Sequence, residues 1–249
     1  MKILIANPNT SADITDRLVA SAKLVASPGT ELVSMTAPRG VPFIATRAEA
    51  AIGSTVLLEM LAEKRGTFDA AIVAAFGDPG LGGARELFDF PVVGMAEAAM
   101  LVACTLGRSF GIVSFSKSLE PWFAEIVAWH GLAQRCVAIR TPTEGFRSLN
   151  NVQEEMEQLL VDLANRTVAE HGADVVILAG APLAGLANRI RSRVPVPLVD
   201  GIQAAVTMAE GLVRINPLKA TAGTFRRPDP KGSTGLAGPL ADVIAHRDA

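Results

Sequence analysis

Four short turns carry the groups that could do chemistry in this chain: Asn7-Pro8-Asn9-Thr10, Phe76-Gly77-Asp78-Pro79-Gly80, Ser114-Phe115-Ser116-Lys117 and Gly180-Ala181-Pro182-Leu183. Each follows an apolar run and precedes a helical pattern, where free backbone N–H groups suit an anion or a carbonyl oxygen. Gly77 and Gly80 let the main chain approach a ligand closely. Asp78 could act as a base if desolvated, and could equally cap the helix that follows it. Lys117 could neutralise a substrate carboxylate or simply stay solvated in its loop. Taken singly, each turn is what any strand-to-helix connection needs. Their pairing argues for more.

The pairing comes from an internal repeat. Phe90-Pro91-Val92-Val93-Gly94-Met95-Ala96-Glu97 returns as Val196-Pro197-Leu198-Val199-Asp200-Gly201-Ile202-Gln203, an offset of 106. Asp69 to Gly77 matches Asp174 to Pro182 at 105, and Lys2 to Thr10 matches Ser109 to Lys117 at 107. Two copies of one unit, facing each other, would place the same strand ends on both walls of a cleft. The first turn then pairs with the third, and the second with the fourth.

The elements that must position these turns are legible in outline. Apolar runs of strand length lie at 3–6, 31–34, 70–75, 92–94, 110–114, 137–140, 175–179 and 198–200. Helical patterns fill the intervals at 10–26, 48–64, 83–87, 97–106, 119–130, 152–170, 183–194 and 202–214. Ser11 or Thr10 can cap the first helix, and Asp200 before Gly201 reads as a cap. Strands alternating with helices predict an α/β fold with parallel sheets buried on both faces. One lobe is expected to comprise 1–97 with 207–249, the other 98–206. The tail after Arg214 should wrap the surface and end in a short helix near 240–246.

Composition removes several classes. With 23 Lys+Arg against 25 Asp+Glu and no basic stripe, nucleic acid is a poor partner. Hydrophobic residues make up 49%, yet no run approaches the roughly 20 residues of a membrane helix. The chain opens on a strand without a signal-peptide pattern, so the expected compartment is the cytoplasm. Two cysteines, Cys104 and Cys136, and three histidines offer no metal-ligand spacing. Cys104 and Cys136 read as small buried hydrophobes. His130, His171 and His246 read as residues at helix C-termini. Glu97 and Gln203, equivalent in the repeat, are expected to bond to strand-end loops or across the lobes. Neither a hydrolase elbow nor a dinucleotide-binding turn is present.

Ile5-Ala6-Asn7-Pro8-Asn9-Thr10, Phe76-Gly77-Asp78-Pro79-Gly80-Leu81 and Pro197-Leu198-Val199-Asp200-Gly201 resemble the aspartate/glutamate/hydantoin racemase superfamily, in particular its hydantoin and allantoin racemase branch. The resemblance implies two flavodoxin-like lobes related by a pseudo-twofold axis, with the site between them and no cofactor. It also implies one cysteine from each lobe, a thiolate taking a proton from one face of the substrate while the opposite thiol returns one. Those cysteines would fall at Ala75 and Gly180. A methyl group and a hydrogen carry no proton, so the two-thiol mechanism is excluded for this sequence. Relatives that keep one cysteine include arylmalonate decarboxylases, so the fold also supports lyase chemistry.

The expected ligand is a small anion or cyclic ureide, bound by Asn7, Thr10, Ala75, Phe76, Gly77, Ser114, Ser116, Gly180 and Ala181, with Asp78 as the candidate base and no metal. The small residues at 75 and 180 are expected to enlarge the pocket. Two functions stay open: a cofactor-independent isomerase or lyase with chemistry not carried by cysteine, or a catalytically inactive anion-binding or regulatory protein. A homo-oligomer is compatible with the alanine-rich helices.

Overall fold

The buried apolar runs pair into two separate parallel sheets of four strands each, as a computed structural model describing residues 1–247 shows. β1 (Lys2–Asn7), β2 (Glu31–Thr36), β3 (Ala70–Val73) and β4 (Val92–Gly94) take the order β2-β1-β3-β4. β5 (Phe110–Val113), β6 (Cys136–Arg140), β7 (Val175–Leu178) and β8 (Leu198–Asp200) repeat it as β6-β5-β7-β8. The interior strands β3, β5 and β7 are buried throughout, which is why they read as unbroken apolar runs. The edge strands β2 and β6 are only partly covered.

The helices are α1 (Ala12–Lys23), α2 (Arg47–Lys64), α3 (Leu81–Leu87), α4 (Met95–Leu106), α5 (Glu120–Trp129), α6 (Val152–His171), α7 (Leu186–Ile190), α8 (Gly201–Ile215) and α9 (Gly238–Ile244). α2 starts at a capping box: the Thr46 hydroxyl accepts from Glu49 N–H and the Glu49 carboxylate accepts from Thr46 N–H. α9 docks on α2 through buried Leu240 and Val243. Among the described residues no helix is long and apolar enough to cross a membrane.

Two helices knit the lobes. α4 follows the last strand of the first sheet but packs on β5, β7 and β8 of the second. α8 follows the last strand of the second and packs on β1, β3 and β4 of the first. The crossing helices also pack on each other, through faces rich in buried alanine: Ala96, Ala99 and Ala103 on α4, Ala205 and Ala209 on α8. Small side chains let helix axes approach closely, and one apolar core runs through both lobes.

Some local expectations change. α1 begins at Ala12, and its N-cap Ser11 makes no side-chain cap; instead Asn9 Oδ1 accepts from Ser11 N–H at 2.9 Å. The stretch 183–194 is not one helix. Gly185 at φ +87° interrupts it, leaving the 3-10 turn Ala181–Leu183, α7 and the 3-10 turn Arg191–Arg193. β3 and β7 stop at Val73 and Leu178, so Ala75 and Gly180 lie in loops.

Asp200 does cap α8: its Oδ1 accepts from Ile202 N–H at 3.1 Å and Gln203 N–H at 3.3 Å. Its Oδ2 accepts from Ser21 Oγ at 3.2 Å and from Gly185 N–H, so one carboxylate gathers α8, α1 and the turn before α7. Asp200→Ala removes the cap and strands buried donors. It is expected to lower the unfolding free energy by about 2–3 kcal/mol, read as a lower urea midpoint at unchanged m-value.

Candidate active site

Loops at the carboxyl ends of both sheets converge on one buried pocket, the expected ligand position for parallel sheets. Asn9 follows β1, Phe43 and Ile44 follow β2, and Ala75 and Phe76 follow β3. From the other lobe come Trp122 and Phe123, after β5, and Gly180 to Pro182, after β7. Ala75 and Gly180 therefore line the same cavity from opposite lobes. Among the described residues the backbone N–H groups of Phe76, Gly77, Gly180 and Ala181 find no acceptor within the protein. Buried amides are nearly always paired, so these are donors available to a ligand oxygen.

The pocket is otherwise apolar, with Asn9 and the indole N–H of Trp122 as the polar groups among its lining side chains. It is also nearly full: about 20 Å³ remains for the centre of a water-sized molecule, room for about one water. The small residues at 75 and 180 therefore do not enlarge it, contrary to the sequence-based expectation. A Cβ on Gly180 would lie 2.6 Å from Phe115 Cε1, and one on Gly77 2.4 Å from Trp122 Cζ2. Rings occupy the space that the glycines leave.

Of the other expected binding residues, Asn7 and Ser114 are buried but committed to the scaffold. Asn7 Nδ2 donates to Asn9 Oδ1 at 3.0 Å and Thr15 Oγ1 at 2.9 Å, and Ser114 Oγ donates to Ala179 O at 2.7 Å. Thr10 N–H donates to Val41 O. Ser116 hydrogen-bonds with Ser118, and exposed Lys117 pairs with Glu120. None of these five lines the pocket, and neither does Gly77, which Trp122 separates from it and which lines the groove beside α2 and α5 instead.

Asp78 does not line it either. At φ +48°, it turns its carboxylate toward α4, not toward α3, the helix directly after it. Oδ1 accepts from Ala96 N–H and Oδ2 from Glu97 N–H, each at 2.8 Å. α4 has Gly94 at its N-cap, and a Cβ there would meet Asp78 Oδ2 at 2.4 Å. The carboxylate thus fills the place that Asp200 fills from within its own helix. Burial pushes the Asp78 carboxyl upward, while His130 and the two amides oppose that rise.

His130 is the residue whose importance the sequence concealed. It ends α5 as expected, but its side chain is only 5% exposed, with Nε2 3.3 Å from Asp78 Oδ2 and Nδ1 3.6 Å from Glu97 Oε1. Burial alone would lower its pKa; the two carboxylates outweigh that and raise it to about 9. For Glu97, burial is outweighed by His130 and Arg85, which hold it down at about 2. Arg85 grips Glu97 through both guanidinium amino groups. No local pattern marks this cluster, since its members lie on four different segments. Among the described residues no group of three or more His, Cys, Asp or Glu is placed to hold a metal ion.

The model of the family described as "Asp/Glu/Hydantoin racemase" matches residues 3–209. The chain belongs to this family. The hydantoin racemase of Paenarthrobacter aurescens is 31% identical over 233 residues, 93% of this chain and 99% of the relative. Among solved structures, the allantoin racemase of Klebsiella pneumoniae superposes with a TM-score of 0.91 at 32% identity, covering 96% of this chain and 98% of that one. The allantoin racemase of Pseudomonas fluorescens gives 0.88 at 34% identity, covering 94% and 100%.

Within the family fold, the turn after β7 is set for a residue without a side chain. Gly180 sits at φ +114°, a conformation that L-residues rarely adopt, and Phe115 blocks its Cβ. Gly180→Cys is expected to cost about 2–3 kcal/mol of stability. Adding Phe115→Leu should recover part of that loss. Urea unfolding of the single and double variants measures both effects.

Proposed function

We propose that this family member is a cofactor-independent enzyme of isomerase or lyase type, acting on a small carboxylate or cyclic ureide without thiols. The observation that carries this reading is the set of unpaired amides on residues that line the pocket, Phe76 from one lobe, Gly180 and Ala181 from the other. Preorganised N–H donors in a dry pocket stabilise charge that develops on a carbonyl oxygen, and each such donor is typically worth a factor of about 10²–10³ in rate. An enolate-like anion is the species they would favour. The kinship with hydantoin and allantoin racemases supports a planar carbonyl substrate.

In this reading Asp78 holds the turn, because both its oxygens are engaged by α4. A water that enters with the substrate beside Asn9 takes the proton from the carbon and gives one back to it. The enolate is thereby reprotonated, and the step ends with no net change in charge. With Ala75 and Gly180 at the expected thiol positions, the thiols that remain take no part. Cys136 lies at the start of β6, where burial raises its pKa to about 11, and neither cysteine lines the pocket.

One observation favours a second reading: no lining side chain is titratable, as suits a protein that holds its ligand without turning it over. Thermal-shift screening with hydantoins, allantoin, malonates and amino acids identifies a ligand under either reading. Solvent deuterium exchange at the carbon next to the carbonyl then separates them. The enzyme should exchange about 10²–10³ times faster than buffer, with no loss after alkylation by iodoacetamide. Binding without exchange or other turnover supports the holding role, and loss of exchange on alkylation overturns the thiol-free mechanism.

A further inference from the structure

α5 of the second lobe lies along the 76–80 turn of the first, the segment that carries two of the free amides. At its start, Trp122 covers Gly77 and Phe123 packs edge-on to Phe76 with ring centroids 5.0 Å apart. At its end, His130 enters between Asp78 and Glu97. Carboxylates only accept hydrogen bonds, whereas a neutral imidazole has one donor nitrogen and one acceptor. Here the ring nitrogens lie 3.3 and 3.6 Å from carboxylate oxygens without closing a hydrogen bond, Nε2 being unpaired. What holds the ring is the attraction of an imidazolium for two carboxylates. With both carboxylates ionised, the cluster balances in charge when His130 and Arg85 are positive against Asp78 and Glu97.

The pseudo-twofold relation supplies the comparison. α1 of the first lobe contacts the turn of the second, where Ser21 donates to Asp200 and Arg17 donates to Pro182 O at 3.1 Å. Gln203, the repeat counterpart of Glu97, donates to Ser21 Oγ at 3.0 Å. Around the α8 cap, the group supplied by the other lobe is a hydroxyl; around the α4 cap it is an imidazole. Only the second can change its charge by releasing a proton in mildly alkaline solution.

We propose that His130 is a positioning residue: as an imidazolium it pins the 76–80 turn across the lobe interface, and losing its proton frees α5 and opens the pocket on that side alone. This goes beyond the proposed chemistry and holds whatever the ligand is. The charged groups facing the ring are Asp78 from the turn, Glu97 from α4 and, behind Glu97, Arg85 from α3. Glu125 of α5 turns instead to Arg47 of α2. Trp122 also borders a groove of about 290 Å³ between α2, the turn and α5, so displacing its indole joins the closed pocket to that groove.

The sign of the effect follows from linkage. A histidine raised from 6.5 to about 9 contributes stability that is fully present below about 6.5 and lost as pH rises through about 9. The test uses the full chain with Trp129→Phe, which leaves Trp122 as its single tryptophan. Acrylamide quenching of Trp122 should rise several-fold between pH 7 and 10, with a midpoint matching that of the His130 ring in NMR. Amide exchange at Phe76 and Gly77, corrected for intrinsic rate, should rise about tenfold over the same interval. In His130→Gln, quenching at pH 7 should already match the high-pH value and stay flat. A His130 midpoint near 6.5, or a deprotonated ring with Trp122 still protected, overturns the proposal. So does a His130→Gln protein that keeps the pH dependence. The parent titration decides the question even if that variant does not fold.

Discussion

The fold depends on a carboxylate held at the N-terminus of each crossing helix. α4 and α8 leave one sheet and cover the other, so their first turns sit at the seam between lobes, where unpaired N–H groups would be buried. Asp200 meets this need from the N-cap of its own helix. Asp78 meets it from a different turn altogether, over a Gly94 that leaves it room. The same electrostatic requirement, anionic charge at a helix start, is satisfied from two different places in the chain. Each solution ties a strand-end turn to a crossing helix, and this fixes the turns that border the pocket.

That constraint decides which groups remain for chemistry. Once Asp78 is engaged by α4, Asn7 by Asn9 and Thr15, and Ser114 by Ala179 O, the polar side chains of the strand ends are largely spent on geometry. The backbone is what they leave. The turns are tied to the crossing helices and some of their amides are unpaired, an arrangement in which backbone dipoles act on a developing charge. Phe115 against Gly180 and Trp122 in the pocket wall leave room for about one water, and low local polarity strengthens each remaining hydrogen bond.

The repeat made both sheets, their strand order and the facing turns legible, because strands buried on two faces leave unbroken apolar runs whatever surrounds them. Ala75 and Gly180 could be placed opposite each other on that basis, and both do line the pocket. What could not be read was the direction in which a side chain spends its hydrogen bonds. Asp78 looked able to cap the next helix because that helix is adjacent in sequence; the helix it caps starts 17 residues later, at Met95. His130 carried only the local signature of a helix end, and its two carboxylate neighbours are supplied by the other lobe's turn and by a crossing helix. Pocket size failed for the same reason, since the rings that fill it come from distant loops.

The near-symmetry of the lobes makes their differences informative. At equivalent places, Glu97 stands against Gln203 and His130 takes the part of Ser21, so the carboxylate of one seam meets an imidazole from the other lobe and that of the other, Asp200, meets a hydroxyl. A buried charged cluster holds only while every member keeps its charge, because removing one partner leaves another uncompensated. Around Asp200 the group supplied by the other lobe is neutral, so no ion pair across that seam can be lost. Two seams of equal strength would leave the pocket, with room for about one water, without a preferred way to admit a ligand. Placing the ionisable seam beside Trp122 puts the latch on the side of α5 alone, within a fold that uses the same strand order twice.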